Sequence, residues 1–311
     1  MGRLVVVGGL NMDIHLFGVR HSPTSEPLIA ERHLAQPGGR GGNVARAAAR
    51  LGVAATLVAR VGTDDFGEHC VEAVARDGVD VSGVTATPGQ NTGFVAIDLE
   101  DGRHRSLVFS PGANDLLTWA DVAPHIAGLT ADDIVVAQAE VPRETLSQLA
   151  TTLAAHNVPL YLDPAPPENV TRAELALAEV ITPDLDEAAQ LTGRRNSSRL
   201  WTVEAARELR AAGARRVLVK LSEDGALLLD DDGLRRIPTA TIEVADETGA
   251  GDVFIAALTA ARLEGNDWVD STRFANAASA LSVSSIGLWL PERSEVDLLV
   301  RRLPKPEIIA E

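Results

Sequence analysis

Cysteine is almost absent from this sequence. The single cysteine, Cys70, excludes an internal disulfide and is typical of a protein kept in a reducing cytoplasm. Cys70 shares helical spacing with Phe66, Ala73 and Val74, so we expect it to lie in the core. The sequence therefore predicts a cytoplasmic protein whose chemistry does not use a thiol.

Basic residues and long hydrophobic runs are also scarce. Lys and Arg number 28 against 44 Asp and Glu, and the formal net charge of −16 argues against a nucleic-acid partner. No apolar run approaches the ~20 residues of a membrane span, and the apolar stretch before Gly8 is too short for a secretory signal. The 7 histidines show no close metal-ligand spacing. An anionic substrate must therefore be held by backbone amides and a few basic side chains.

The pattern of apolar residues indicates an α/β protein. The β-branched run Leu4–Val7 predicts a central strand, and strands alternate with helices from residue 133 onward. Repeated βα units imply a parallel sheet with helices on both faces. The length of 311 residues suits one large domain, and no linker or internal repeat divides the chain.

The segment 244–254 carries the strongest functional signal. An apolar run precedes Gly249-Ala250-Gly251 and a helical pattern follows, so the glycines lie where a helix begins. Free N–H groups and the helix dipole attract an anion there, and glycines let it approach closely. Asp252 follows at once, where a carboxylate can take a proton from a hydroxyl group that attacks phosphorus. The alternative is a glycine-rich turn whose Asp252 only favours the start of the helix.

Two polar motifs occur in the first 50 residues. Asn11 and Asp13 follow the first strand and alternate, so both can point to one side and bind sugar hydroxyls. A polar loop with an Asx-turn is the alternative. The cluster 38–43 contains four glycines before a helical stripe, which lets backbone N–H groups meet a small polar ligand. Asn43 offers its amide to the same place.

Two predicted hairpins interrupt the βα pattern. Ile14–Phe17 and Leu28–Leu34 are predicted as short strands joined by a polar loop over 21–27, and Asn91–Leu99 and Arg105–Phe109 as strands around a turn at 100–102. The first hairpin is expected to form a flap over the site; a hairpin without function is the alternative.

A pair of carboxylates marks a third candidate site. Asp184 and Glu187 are three residues apart at a predicted helix start and share one face, where they can hold Mg²⁺ directly or through its waters. The alternative is that they only stabilise the N-terminus of the helix.

Together these motifs resemble the ribokinase, or phosphofructokinase B, family of sugar kinases. The segment 38–43 resembles the Gly-Gly-x-Gly-x-Asn signature of that family, and 246–254 resembles its Asp-Thr-x-Gly-Ala-Gly-Asp signature. The resemblance implies an α/β, ribokinase-like three-layer sandwich with a mostly parallel central sheet and helices on both faces. It also implies a small β lid from about 14–34 and 91–109 on a single domain 1–311, and a homodimer formed through that lid.

The resemblance implies a role for each matching position. Asp252 matches the catalytic base, and the amides of Gly249, Ala250 and Gly251 match the anion hole around the γ-phosphoryl group. Positions that hold the sugar are matched by Asn11, Asp13, Gly39, Asn43 and Glu140. Positions that bind ATP are matched by Lys220, Ser222, Gly225, Gly251 and Asn276. Positions for cations are matched by Asp184 and Glu187 for Mg²⁺, and by Asp246 and Thr248 for a monovalent cation such as K⁺.

The sequence departs from the family pattern at four places. Asp184 replaces the Asn of the Asn-x-x-Glu motif, Ser222 replaces a glycine near the phosphates, and Glu247 replaces a threonine. The late loop 284–289 keeps only Gly287 of the ribokinase cation loop.

The predicted function is an ATP-dependent sugar kinase, a transferase with an alcohol group as acceptor, with ribose as the first candidate substrate. A nucleoside kinase of the same fold, or a non-catalytic homologue that binds a sugar or nucleoside, is the alternative. The intact Asp252 favours an enzyme. A dehydrogenase would need Gly-x-Gly-x-x-Gly after the first strand, which the sequence from Gly8 to Asn11 does not supply.

Overall fold

The computed structural model describes residues 2–20, 27–100, 103–194 and 199–309. Within these ranges the strands are β1 (Leu4–Val7), β2 (Asn11–Phe17), β3 (Arg32–Gly38), β4 (Ala55–Gly62), β5 (Asp80–Thr87), β6 (Gly93–Glu100), β7 (Arg103–Ser110), β8 (Ile134–Gln138), β9 (Leu160–Asp163), β10 (Val180–Ile181), β11 (Val217–Lys220), β12 (Ala226–Asp230), β13 (Gly233–Ile237) and β14 (Glu307–Ile308). The helices are α1 (Arg40–Arg50), α2 (Asp65–Arg76), α3 (Trp119–Ile126), α4 (Arg143–Ala155), α5 (Arg172–Leu177), α6 (Leu185–Thr192), α7 (Arg199–Ala211), α8 (Ala250–Leu263), α9 (Trp268–Ser282) and α10 (Arg293–Val300).

Ten strands form the central sheet in the order β14-β13-β12-β11-β10-β9-β8-β1-β4-β5. The strands from β11 to β5 in this order pair in parallel. The three pairings at the other edge, β11 with β12, β12 with β13 and β13 with β14, are antiparallel. The predicted mostly parallel sheet is confirmed.

Helices cover both faces of this sheet. Leu4 and Val6 of β1 pack into the core layer beneath α1, α8 and α9, whereas Val5 and Val7 pack into the layer beneath α3, α4 and α7. Successive side chains of a strand point to opposite faces, so a continuous apolar run fits a sheet that is buried on both sides. The predicted three-layer sandwich is therefore confirmed.

A second, four-stranded sheet has the order β3-β2-β6-β7. Its strand bounds differ from those predicted, because the first strand begins at Asn11 instead of Ile14 and the second covers Arg32–Gly38 instead of Leu28–Leu34. The first residues of β3 are exposed, so that strand lacks the alternation of apolar residues that marks a half-buried strand. Residues 21–26 of the predicted loop over 21–27 and residues 101–102 of the predicted turn at 100–102 lie outside the described residues.

The first glycine cluster lies partly inside a helix. Helix α1 begins at Arg40, so Gly41 and Gly42 belong to its first turn, and the prediction that all four glycines precede the helix is wrong. A Cβ atom on Gly41 would lie 2.7 Å from the carbonyl carbon of Gly8 at the end of β1. Gly41 is therefore required by the close approach of helix and strand.

The structure also tests the predictions made for Cys70 and for membrane-spanning segments. Cys70 is fully buried on α2, which confirms the core assignment, and burial raises the pKa of its thiol to about 12. None of the helices in the described ranges combines the length and hydropathy that a bilayer crossing requires.

Candidate active site

The start of α8 places a carboxylate beside the backbone amides of the first turn of the helix. Gly249 precedes the helix with a φ of 76°, a left-handed conformation that favours glycine, and Asp252 lies in the first turn. Asp252 is buried, and its Oδ2 atom accepts a hydrogen bond from Nδ2 of Asn43 at 2.8 Å. The two glycine-rich segments, distant in sequence, therefore meet at one point.

Burial raises the pKa of Asp252 to about 7. The Arg40 guanidinium and the hydrogen bond from Asn43 oppose this rise, whereas the carboxylates of Asp163 and Glu140 add to it. A carboxyl group with a pKa near neutrality can exchange a proton readily at physiological pH. Asp252 therefore has the properties of a general base.

Asn11 and Asp13 on β2, Asn43 on α1 and Glu140 after β8 surround the same space. Burial, together with the charges of Glu140 and Asp252, raises the pKa of Asp13 to about 8, and burial also raises the pKa of Glu140. Each of the four residues has one buried polar atom without a partner among the described residues: Asn11 Nδ2, Asp13 Oδ1, Asn43 Oδ1 and Glu140 Oε2. Buried polar atoms are normally hydrogen-bonded. These donors and acceptors therefore suit a polyhydroxyl ligand.

The backbone of Gly39 lies close to the start of β2, which carries two of these residues. Its φ is 81°, and a Cβ atom there would lie 2.7 Å from the backbone nitrogen of Asn11 and 2.8 Å from the carbonyl oxygen of Gly9. A side chain at this position would push β2 away from the start of α1.

Two cations form ion pairs with carboxylates near the start of α8. Arg40 Nε donates to Glu140 Oε1 at 3.2 Å, and Lys220 Nζ at the end of β11 donates to Asp163 Oδ1 at 3.1 Å. A Cβ atom on Gly251 would lie only 3.2 Å from Lys220 Nζ, so this ammonium group adjoins the first turn of α8. Amides at the start of a helix and an ammonium group beside them are the kinds of group that hold an anion in proteins. Burial opposes the charge of Lys220, but Asp163 and Glu187 outweigh it and raise its pKa.

Asp184 and Glu187 form a reciprocal capping box at α6. The backbone N–H of Asp184 donates to Glu187 Oε2 at 2.7 Å, and the backbone N–H of Glu187 donates to Asp184 Oδ1 at 2.8 Å. This is the helix-stabilising alternative considered for the pair. Glu187 also lies near the cations, with Oε1 3.8 Å from Arg40 Nη1 and Oε2 3.8 Å from Lys220 Nζ. Among the described residues, no three acidic, histidine or cysteine side chains converge as a metal site would require.

The predicted ATP-binding residues lie on β11, the turn after it, and helices α8 and α9. Ser222 has a φ of 51° and Gly225 a φ of 86°, so the turn after Lys220 keeps a left-handed conformation where the family pattern has glycine. Asn276 lies on α9, and its Nδ2 donates to the carbonyl oxygens of Ile237 at 2.8 Å and Pro238 at 3.2 Å. A Cβ atom on Gly225 would clash with the same oxygen of Ile237, so the turn and Asn276 meet there. Asn276 therefore ties α9 to the end of β13, and both of its amide protons are used within the chain.

Asp246 and Thr248 occupy the loop before α8. Asp246 Oδ1 accepts from the backbone N–H of Thr248 at 2.9 Å and from its hydroxyl group at 2.6 Å, and Oδ2 accepts from the backbone N–H of Gly287 at 2.8 Å. His15 and His104 of the second sheet also reach Thr248.

Sequence reasoning assigned no role to three residues of the site. These residues are Arg40, which lies within the glycine-rich segment 38–43, and Asp163 and Asn114. Asp163 ends β9, and its position at the carboxyl end of a parallel strand was the signal available. Asn114 lies in a short helical turn after β7, and its Nδ2 donates to Asn11 Oδ1 at 2.6 Å. No local pattern predicts that contact.

Comparison with known proteins agrees with this geometry. The sequence profile of the pfkB family carbohydrate kinases matches residues 1–294. The chain is 30% identical to the ribokinase of Bacillus subtilis over 302 residues, covering 96% of this chain and 100% of that protein. It is 30% identical to the ribokinase of Haemophilus influenzae over 295 residues, covering 94% of this chain and 96% of that protein.

Solved structures give the same result. The crystal structure of a Thermotoga maritima ribokinase superposes with a TM-score of 0.84 at 27% identity, covering 97% of this chain and 100% of the other. The Arabidopsis thaliana ribokinase complexed with ribose and ATP also gives 0.84, at 28% identity, covering 97% of this chain and 99% of the other. By sequence and by fold, this chain belongs to the pfkB family of carbohydrate kinases.

Proposed function

We propose that this protein transfers the γ-phosphoryl group of ATP to a hydroxyl group of a small sugar, with ribose as the first candidate. The observation that carries the proposal is the buried Asp252, hydrogen-bonded to Asn43 and located in the first turn of a helix whose amides adjoin Lys220. A base beside an anion-binding position is what phosphoryl transfer to a hydroxyl group requires.

Each group has a part in the reaction. Asn11, Asp13, Asn43 and Glu140 hold the sugar through their unpaired polar atoms, with the Gly39 backbone beside them. Asp252 takes the proton of the attacking sugar hydroxyl group. The oxygen of that hydroxyl group forms a bond to the γ-phosphorus, while the bond from this phosphorus to the bridging oxygen breaks and ADP leaves. The amides of Gly249, Ala250 and Gly251, together with Lys220, stabilise the charge on the transferred group.

The nucleotide is proposed to lie along the turn after β11. Ser222 and Gly225 give this turn its left-handed backbone, and Lys220, which precedes the turn, is proposed to contact the phosphates. Asn276 supports the adenine side by fixing α9 rather than by a direct hydrogen bond, since its amide protons are occupied.

Mg²⁺ is proposed to accompany ATP. The carboxylate of Glu187, with Asp184 beside it, would hold the ion directly or through the water molecules of the ion. Mg²⁺ is commonly held by one or two carboxylates together with substrate phosphates, so a small acidic set fits it. When bound, the ion neutralises phosphate charge. Glu187→Gln keeps an acceptor for the capping box, and it should raise the Mg²⁺ concentration needed for half-maximal rate. An unchanged requirement would remove Glu187 from this role.

The chain is proposed to function as one domain. Its second sheet is proposed to act as a lid over the sugar site and to form the contact between the two chains of a dimer. The lid proposal is supported by Asn11 and Asp13, which lie on β2 itself. The dimer proposal is supported by exposed apolar side chains on the edge strands: Leu34, Leu107, Val108 and Phe109. Amides of β2 should gain protection from hydrogen exchange when the sugar binds, and Val108→Asp should yield monomers in sedimentation analysis.

A coupled assay tests the function directly. Purified protein with ATP and Mg²⁺ is given a panel of pentoses, hexoses and nucleosides, and ADP and phosphorylated product are both measured. Phosphorylation of a sugar supports the proposal. Turnover of nucleosides alone would instead indicate a nucleoside kinase, and binding without turnover would indicate a non-catalytic homologue.

A further inference from the structure

The loop before α8 is fastened to the second sheet at three points. Thr248 Oγ1 lies 3.4 Å from Nε2 of His15 on β2 and 3.0 Å from Nε2 of His104 on β7. Glu247 Oε1 accepts a hydrogen bond from the backbone N–H of His104 at 3.1 Å. Glu247, which departs from the family pattern, therefore holds a strand of the second sheet against the anion-binding helix.

The hydroxyl group of Thr248 has no free hydrogen-bonding capacity in this arrangement. A hydroxyl group has one proton and two lone pairs. The proton is directed at Asp246 Oδ1, at 2.6 Å, so both lone pairs face the imidazoles. His15 and His104 each donate from Nε2, a tautomer assignment that follows from the network.

Both carboxylate oxygens of Asp246 are hydrogen-bonded by groups of this chain. Three hydrogen bonds reach its carboxylate, from the backbone and hydroxyl of Thr248 and from the backbone of Gly287. His15 Nε2 lies a further 3.7 Å from Oδ2, and both side chains are fully buried. A hard cation needs several oxygen lone pairs turned toward one point. Here N–H groups are turned toward Asp246 and the hydroxyl group of Thr248 is already engaged, so these two side chains do not fit a monovalent cation.

We infer that His15 and His104 are positioning residues that fix Thr248 and the start of α8, and that this protein transfers phosphoryl groups without a monovalent cation. The inference rests on the proposed kinase function. Thr248 is bonded directly to Gly249, so the contacts that hold its hydroxyl group also orient the amides of the anion-binding position. Small errors in such placement lower rates strongly.

The first experiment compares salts. Initial rates of the wild-type full-length protein are measured with ATP, Mg²⁺ and saturating sugar in K⁺, Na⁺ or tetramethylammonium chloride at equal ionic strength. Rates should agree within about threefold, and melting midpoints within about 2 °C, because a cation that binds the native state raises the midpoint. A larger activation or a larger shift by K⁺ overturns the inference. The melting measurement needs no turnover, so its result stands even if no sugar proves to be a substrate.

The second experiment removes the contacts. His104→Ala, and His15→Leu where it folds, should lower kcat by about tenfold or more in every salt, with the KM for sugar changed by less than about threefold. His104→Gln, which retains an N–H donor, should recover most of the rate. His33→Ala is the matched control, because His33 is exposed on β3 of the same sheet. Wild-type kcat in His104→Ala overturns the positioning role.

A third readout is independent of catalysis. Amides 247–251 should exchange hydrogen faster in His104→Ala than in wild type or in His33→Ala, because the loop loses its contact with the second sheet. Unchanged exchange there would show that the histidines do not fix the loop.

Discussion

Helices α1 and α8 begin in similar ways. Each follows a glycine with a positive φ, 81° at Gly39 and 76° at Gly249, and each has glycine in its first turn. The helices pack together, and their first turns meet through Asn43 and Asp252. One contributes a neutral amide and the other a buried acid.

The glycines of the two helices serve different purposes. A Cβ atom on Gly41 would lie 2.7 Å from the backbone of Gly8, so α1 needs glycine for close packing. A Cβ atom on Gly251 would meet only the flexible tip of Lys220, at 3.2 Å. Glycine there leaves the amides of α8 open to an anion. Similar glycine patterns before a helix can thus reflect packing in one case and ligand access in the other.

The largest expected effect is the loss of activity in Asp252→Asn. Removing the proton acceptor should lower kcat by roughly 10²-fold or more, with sugar affinity little changed. The measurement is steady-state kinetics together with calorimetric sugar binding. Asp270→Asn, an exposed acid at the start of α9, is the control. Turnover within a few-fold of wild type would show that Asp252 is not the base.

The same variant should gain stability at alkaline pH. Burial raises the pKa of Asp252 to about 7, so ionising it in the folded protein is unfavourable, and the neutral amide avoids this cost. We expect Asp252→Asn to unfold at a higher urea concentration than wild type at pH 8. Lower stability at that pH would contradict the argument from burial.

Exchanging glycine for alanine distinguishes the two helix starts. Gly41→Ala should destabilise the protein by about 3 kcal/mol or more, because the new methyl group would meet the backbone of Gly8, which cannot move aside as a flexible side chain can. Gly251→Ala should fold with nearly wild-type stability and lose activity instead. Urea unfolding and kcat are measured for both variants. Equal stability losses would remove the distinction between packing and access.

The pH dependence follows from the raised pKa of Asp252. The base must be ionised, so kcat/KM should rise about tenfold per pH unit below about pH 7 and level off above it. Stability should show the opposite trend. The folded state holds this proton between about pH 4 and pH 7 while the unfolded state has released it, so the stability contribution is lost as pH rises through that window. The unfolding free energy of wild type minus that of Asp252→Asn isolates this contribution.

The smallest effect is expected from Asn43→Ala. The hydrogen bond from Asn43 lowers the pKa of Asp252, so its loss should move the acid limb of the pH–rate profile to higher pH by up to about one unit. Sugar KM should rise as well, because one contact is removed. A shift to lower pH would contradict the assigned direction of this hydrogen bond.

Several features could be predicted from the sequence because they depend on local patterns. The apolar run of β1 determines a strand buried on both faces, and Gly249 before an apolar helical stripe determines where a helix begins. The strand β3 could not be predicted in register, since its exposed first half has no apolar alternation to mark it. The strand β5, largely polar and at the edge of the sheet, was missed for the same reason.

The sequence by itself determined the class of fold, the two glycine-rich helix starts and the identity of Asp252, because periodicity and backbone freedom act over a few residues. Only the tertiary structure decided what those residues meet. It brought Asn43 to Asp252, Asn114 to Asn11, and His15 and His104 to Thr248, across separations of more than 100 residues. Such contacts also set the raised pKa of Asp252, because burial and neighbouring charges depend on the packed chain as a whole.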